Sequence, residues 1–345
     1  MPFLRFASLL AAFALAEGCG EDEKRSPAGP VPDPTALERL TMGDALYQVD
    51  ESSGDLQPSI LLLRPAGGAV ILPVSICEFE VIYAQMHAHF GRPLSHDLIK
   101  TLADLLGMSV PRIVLDTQAG DSLKAHIVMQ AAQEQVEMPV SVGDAVAIAQ
   151  RMSAEIMGTQ RLIAQHDFQT DATSQQAAPF AAPTDQAVGP VRKPARLAQT
   201  TGELVEMRVL GLLQLSFSRE VLLVLVDHAE QVAFPLTISR CQGFAVFSGL
   251  QPGDFPPTLP PDLMKSMLAR SKARLTHVAV TRIEDRTFIG EIGLAQGDRA
   301  VAIDARPSDA IALALRVGAP IRVHQTLLEH FGEDPAGYLA AFANQ

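Results

Sequence analysis

From residue 204 onward, apolar runs bounded by charged or turn-forming residues mark out a series of elements. The stretches 204–214, 220–227 and 231–238 read as strands, with 219–227 and 232–238 forming a hairpin around His228-Ala229-Glu230. Helical spacing follows at 240–249 and 261–271. Strands come next at 274–283, 286–294 and 299–304, then a helix at 307–317 and a short strand at 320–323. The last helix has the clearest ends. Pro307 suits a first turn, where a backbone N–H has no intrahelical partner to lose, and Asp309 lies where the helix dipole favours an anion. Residues 310–317 are strong helix formers with Ile311 and Leu315 on one face, and Gly318 and Pro320 stop the helix. Strand runs broken by a helical pair predict an α+β fold, a mostly antiparallel or mixed sheet packed with helices, rather than a regular βαβ series.

The pattern occurs twice. Phe90-x-x-x-Leu94-x-x-Asp97-Leu98-x-Lys100 matches Phe255-x-x-x-Leu259-x-x-Asp262-Leu263-x-Lys265. The shift of 165 residues that takes Asp97 to Asp262 also takes Asp144-Ala145 to Asp309-Ala310. A shift three residues shorter aligns Leu72-Pro73-Val74-x-Ile76 with Phe234-Pro235-Leu236-x-Ile238. Three separated anchors make a duplicated domain the expectation. Between the copies, 167–201 is rich in Ala, Gln, Thr and Pro and reads as a linker. The expected organisation is a leader at 1–19, a polar tether at 20–40, a first domain at 41–166, the linker, a second domain at 202–332 and a tail at 333–345.

The leader changes the expected location. Arg5 precedes an apolar run from Phe6 to Ala16, too short to span a bilayer, and then comes Ala16-Glu17-Gly18-Cys19. This resembles a bacterial lipoprotein signal with Cys19 as the lipidated residue, although Ala16 replaces the usual Leu. A plain cleavable signal is the alternative. A lipid-anchored or periplasmic place in the bacterial cell envelope follows, with the membrane as a partner through Cys19. Of the remaining cysteines, Cys77 and Cys241 read as buried thiols, and no CxxC pair or His/Cys cluster suggests zinc.

A net charge of −12 argues against a sequence-independent grip on nucleic acid over the whole surface. The charge is uneven, however. Residues 203–329 hold 13 Lys/Arg against 14 Asp/Glu, whereas 44–161 hold 7 against 14. Lys265, Arg270, Lys272 and Arg274 read as a solvated helix face.

The densest chemistry lies at Asp304-Ala305-Arg306-Pro307-Ser308-Asp309, where a strand ends and the last helix begins. Two readings stand. In one, Ser308 and Asp309 cap backbone N–H groups and Arg306 braces Asp304, a local device stabilising by roughly 1 kcal/mol. In the other, Asp304 and Asp309 are carboxylates of a divalent-metal or acid–base site, with Arg306 gripping a phosphate through its fork. His96 divides similarly between a packing or capping residue ahead of a helix at 97–106 and a general acid or base.

These residues carry a family resemblance. Both copies resemble the bifunctional nuclease (BFN) domain, whose pattern has three polar anchors. The anchors are a Glu after a Leu-Pro-hydrophobic-x-Ile strand, an Arg-Pro-x-Ser/Thr-His-Asp-Leu segment opening a helix, and Asp-x-Arg-Pro-Ser-Asp-Ala at the final junction. The first copy has Glu80 and Arg92-Pro93-Leu94-Ser95-His96-Asp97-Leu98, but Pro139-Val140-Ser141-Val142-Gly143-Asp144 stands at the third anchor. The second keeps Asp304, Arg306 and Asp309, with Gln242 for the Glu and Pro261-Asp262 for His-Asp. The resemblance implies a nuclease acting on DNA and RNA. Asp304, Arg306, Asp309, His96 and Asp97 are its candidate catalytic residues, and Asp304 and Asp309 its candidate ligands for Mg²⁺ or Mn²⁺. The divided anchors suggest an internal pseudo-dimer that builds one site from complementary halves, or a homo-oligomer, and the rival reading is relaxed selection with one or both sites decayed. The competing expectation is a lipid-tethered module that binds a partner or small anion without hydrolysis.

Overall fold

A computed structural model describes residues 37–46, 59–65, 72–76, 94–117, 123–131, 134–165, 177–178, 202–215, 220–255, 258–284 and 286–343. Cys19, Cys77 and Glu80 lie outside them, as do His87, His89 and the proposed leader.

The first copy runs β1 (Leu37–Leu46), β2 (Ser59–Pro65), β3 (Leu72–Ile76), α1 (Ser95–Leu106), β4 (Met108–Thr117), β5 (Leu123–Ala131), β6 (Glu134–Val140), α2 (Val142–Met152), β7 (Glu155–Thr159) and α3 (Gln160–Gln165), with a short β8 (Ala177–Ala178). The second runs β9 (Leu204–Gln214), β10 (Glu220–Asp227), β11 (Ala233–Ser239), α4 (Arg240–Leu250), α5 (Pro260–Ser271), β12 (Arg274–Glu284), β13 (Thr287–Gln296), β14 (Arg299–Ala305), α6 (Pro307–Val317), β15 (Ile321–His324), α7 (Gln325–Phe331) and α8 (Ala336–Ala343).

The two sheets have the same order. One reads β3-β2-β1-β7-β4-β5-β6, with β8 beside β1, and the other β11-β10-β9-β15-β12-β13-β14. In each, a single pair is parallel, β4 with β7 and β12 with β15, and the other pairs are antiparallel. The parallel pair follows from the crossover through α2 or α6, which returns the chain to the middle of the sheet. The expected α+β fold in two tandem copies is what the chain adopts. The strand expected at 231–238 starts at Ala233, because the hairpin turn takes up residues 228–232.

Asp227 fastens that turn. Its Oδ1 accepts from the N–H groups of Gln231 (2.7 Å) and Val232 (2.8 Å), and its Oδ2 from that of Ala229 (3.2 Å). Burial pushes its pKa up, but the N–H donors of Val232, Gln231 and Ala229 outweigh burial and hold it below the ordinary 3.8. A carboxylate with a depressed folded pKa stabilises fully above its unfolded value and loses that contribution as pH falls through the folded value. Asp227→Asn is therefore expected to lose about 1–3 kcal/mol at pH 7, with a smaller deficit below pH 4, measurable by urea unfolding across pH 2–7.

The described residues form two compact units. One holds those within Pro30–Lys193 together with those within Pro257–Ser271, and the other those within Pro194–Pro256 and Lys272–Gln345. Helix α5 of the second copy thus belongs to the unit built by the first. There it packs against α1, and the Ser141 N–H donates to the Thr258 carbonyl at 3.2 Å. Leu98, Ile99 and Leu102 of α1 and Leu263, Met264, Met267 and Leu268 of α5 are all buried. Lys265, Arg270, Lys272 and Arg274 are exposed, as a solvated face requires. Cys241 is exposed in the first turn of α4, not the buried thiol expected.

In the other unit, α6 packs on β12, β13 and α4. Helix α8 brings Tyr338, Ala341 and Phe342 against Leu213, Val224 and Ala233. Gly290 of β13 lets the junction before α6 close down. A Cβ there would meet the Ala305 carbonyl oxygen at 3.0 Å and the Pro307 nitrogen at 3.1 Å, both backbone atoms with little room to yield. Gly290→Ala is expected to cost about 1–3 kcal/mol by overpacking, read as a lower urea midpoint at unchanged slope.

Candidate functional site

The site candidate of the second copy begins where β14 runs out. Glu291 faces Asp304 and Gly290 faces Ala305 across the β13–β14 ladder. Ile303 and Ala305 are buried, while the Asp304 side chain keeps 31% of its surface in solvent. Arg306 extends the strand by one residue (φ −69°, ψ 141°) and sits at the N-cap of α6 without capping it through its side chain. Pro307 follows as the first helical residue.

Each carboxylate has its own arginine. Arg306 donates from Nε to Asp309 Oδ2 at 2.7 Å and from Nη2 to Oδ1 at 3.2 Å. Arg282 of β12 donates from Nη1 to Asp304 Oδ1 at 3.2 Å and from Nη2 to Oδ2 at 3.0 Å. The structure shows two forks, Arg306 on Asp309 and Arg282 on Asp304. The reason is helical geometry, which brings residue 309 under residue 306. Arg282 also reaches Glu284 Oε1 through Nε at 2.8 Å. Burial works against its charge, but the hydrogen bonds and charges of Asp304 and Glu284 outweigh burial and raise its pKa above the ordinary value. The two pairs differ in setting. Arg282 and Asp304 are about one-third exposed, whereas Asp309 is sealed to 6%.

A further polar pair lies on the same sheet. Glu291, opposite Asp304, has its Oε1 3.6 Å from His277 Nε2, and His277 Nδ1 meets Thr276 Oγ1 at 3.0 Å. The imidazole rests over Gly293, where a Cβ would lie 2.4 Å from its Cε1.

The equivalent residues of the first copy form a closed network. His96 Nε2 meets Asp144 Oδ1 at 2.8 Å, and Ser141 Oγ donates to Asp144 Oδ2 at 2.6 Å. Asp97 accepts the Leu94 N–H at 2.8 Å and Arg151 Nε at 2.8 Å. His96 is 1% exposed, and Asp97 and Asp144 are likewise buried. Helix α1 begins at Ser95, two residues ahead of the expected start, because the Asp97 carboxylate closes its first turn. The structure thus gathers Asp304, Arg306 and Asp309 at one junction, and His96 and Asp97 inside the other unit.

Arg282, Glu284, Glu291 and His277 escaped the sequence reading. They lie on neighbouring strands at no motif spacing, and only strand pairing brings them to Asp304. The one available signal was the 165-residue shift, under which Thr117, Pro139 and Ser141 stand at the positions of Arg282, Asp304 and Arg306.

A divalent cation needs carboxylate oxygens that are not already committed. Both oxygens of Asp304 and both of Asp309 accept from arginine. Among the described residues no group of three or more His, Cys, Asp or Glu side chains gathers as a cation cage. As arranged, the pair does not fit Mg²⁺ or Mn²⁺. Nor is any helix of the described residues long and apolar enough to cross a membrane.

Comparison with known proteins agrees with the duplication. The family described as "Bifunctional nuclease domain" matches residues 61–171 and again 223–335. An uncharacterized protein of Mycobacterium tuberculosis, present in strains CDC 1551 / Oshkosh and ATCC 25618 / H37Rv, is 29% identical over 127 residues. The match covers 37% of this chain and 76% of that protein.

Proposed function

Because the chain belongs to the bifunctional nuclease domain family through both of its repeats, we propose that it hydrolyses phosphodiester bonds of DNA and RNA at the strand–helix junction of the second repeat. One observation carries the choice of repeat. Asp304, Arg282 and Arg306 keep part of their surface in solvent, whereas His96, Asp97 and Asp144 are sealed. Hydrolysis needs the phosphate charge neutralised and a water aimed at phosphorus. Arg306 supplies a fixed guanidinium for a non-bridging oxygen. Asp304, beside it on the strand end, orients the water and takes its proton as the oxygen bonds to phosphorus. The ester P–O bond breaks, and the leaving oxygen is protonated from solvent. Asp309 acts through Arg306, whose fork it fixes.

The alternative of a binding module without hydrolysis is favoured by the two carboxylates' engagement with arginine, which occupies the oxygens that would receive a proton. The lipid anchor at Cys19 and the envelope location remain proposals on residues outside the described structure, tested by the mass of the mature N-terminal peptide. The nuclease reading is tested by incubating the purified full chain with 5′-labelled single-stranded DNA and with RNA, in magnesium and in EDTA. Cleavage of both polymers that tracks the protein peak on gel filtration is the expected result. Intact polymers in every condition overturn it.

A further inference from the structure

The duplication separates scaffold from site within one chain. Polar residues with structural work appear in both copies. Asp97 and Asp262 each accept an N–H from three residues earlier, Leu94 and Leu259 respectively. Arg151 and Arg316 each donate to the carbonyl one helical turn back, of Ala147 and Ala312 respectively. Asp144 and Asp309 are both kept, with changed partners. The charged trio Arg282, Asp304 and Arg306 belongs to the second copy, and the first copy has Thr117, Pro139 and Ser141 at these positions. A brace needed by the fold would be expected in both.

The geometry of this trio also fits a ligand. Arg282 lies opposite Ile289 on β13, and Arg306 continues β14 one step past Ala305, the partner of Gly290. The two guanidiniums therefore stem from neighbouring positions at the same end of the sheet, two strands apart or roughly 10 Å in backbone separation. Asp304 lies on β14 two residues before Arg306, and its carboxylate meets Arg282 across β13. Arg282 presents its fork to both oxygens of that carboxylate, and a phosphate offers two oxygens in the same arrangement. The Arg282–Asp304 pair is partly exposed, and exposed ion pairs exchange partners at little cost. The Arg306–Asp309 pair is anchored by a buried carboxylate and stays.

We infer that Arg282 is a second phosphate-gripping residue of the junction, and that Asp304 holds its fork in reserve until a nucleic-acid phosphate displaces the carboxylate. The inference rests on the nuclease reading for the identity of the anion. Displacement does two things at once. It adds a second guanidinium to the phosphate, and it releases Asp304 beside the phosphorus, where the water must be aimed.

The test is binding of a fluorescent single-stranded DNA oligonucleotide to the full chain by anisotropy in EDTA, with probe integrity checked on a denaturing gel. Asp304→Asn removes the competing anion and is expected to tighten binding at least threefold. Glu329→Gln, an equal change of charge at an exposed position of α7, is expected to leave binding within twofold. Arg282→Met is expected to weaken binding at least fivefold and to flatten the slope of log K against log salt by about 0.7, the loss of one phosphate contact. Because Arg282→Met leaves Asp304 without its fork, the double variant Arg282→Met/Asp304→Asn guards against misfolding and is expected to bind as weakly as Arg282→Met. Unchanged or weaker binding by Asp304→Asn overturns the inference, as does an unchanged salt slope in the double variant. Tightened binding without cleavage by the wild type sinks the hydrolytic reading and leaves the anion site. Cleavage with unaltered binding sinks the anion site alone.

Discussion

Asp304→Asn is expected to lower phosphodiester cleavage by at least about a hundredfold while leaving the fold intact, since removing one positioned group from a charged site typically costs 10²–10³ in rate. The variant keeps the shape of the side chain and loses the charge that aims the water. Its structural cost is small because the ion pair with Arg282 is partly exposed, and such pairs contribute about 0–1 kcal/mol. Arg282 also retains Glu284 as a partner. Cleavage rate against thermal midpoint separates the two roles. A large loss of rate at a nearly unchanged midpoint marks Asp304 as part of the site, and parallel losses mark it as a brace.

The opposite behaviour is expected of Asp97. Its side chain and that of Arg151 are 7% and 8% exposed, and they meet at 2.8 Å. Truncating the carboxylate strands a buried guanidinium and removes the acceptor for the Leu94 N–H. Asp97→Ala is therefore expected to destabilise the first unit by about 3–5 kcal/mol, the usual cost of breaking a buried pair from one side. Removing both partners in Asp97→Ala/Arg151→Met is expected to recover much of the loss, which a double-mutant cycle by urea unfolding measures. Cleavage per folded molecule should not change, because Asp97 meets no solvent from which a substrate could approach.

Much of this was legible in the chain because short-range rules decided it. Pro307, Asp309 and Gly318 bracket α6 as local chemistry requires, and helix ends of that kind depend on few distant contacts. The 165-residue repeat carried the shared order of strands, since two copies of one pattern fold to one topology. The partners of the charges were not legible. Arg306 and Asp304 are two residues apart, a spacing that suggests a brace, yet Asp304 is held from β12, 22 residues earlier. Strand pairing alone sets that contact, and no local pattern encodes it. The partner of His96 was hidden for a related reason. Its anchor segment is intact, but Asp144, which its imidazole meets, lies 48 residues away. The transfer of α5 to the unit of the first copy was equally hidden, since its sequence reads the same wherever it packs.

The proposed chemistry belongs to the open junction of the second repeat and not to the sealed network of the first. The most direct measurement is single-turnover cleavage of a labelled single-stranded oligonucleotide by the wild type, Asp304→Asn and His96→Asn, each rate normalised to the folded fraction from circular dichroism. Cleavage is expected to be lost in Asp304→Asn and retained in His96→Asn. Equal losses in both variants, or a wild-type rate in Asp304→Asn, would contradict it.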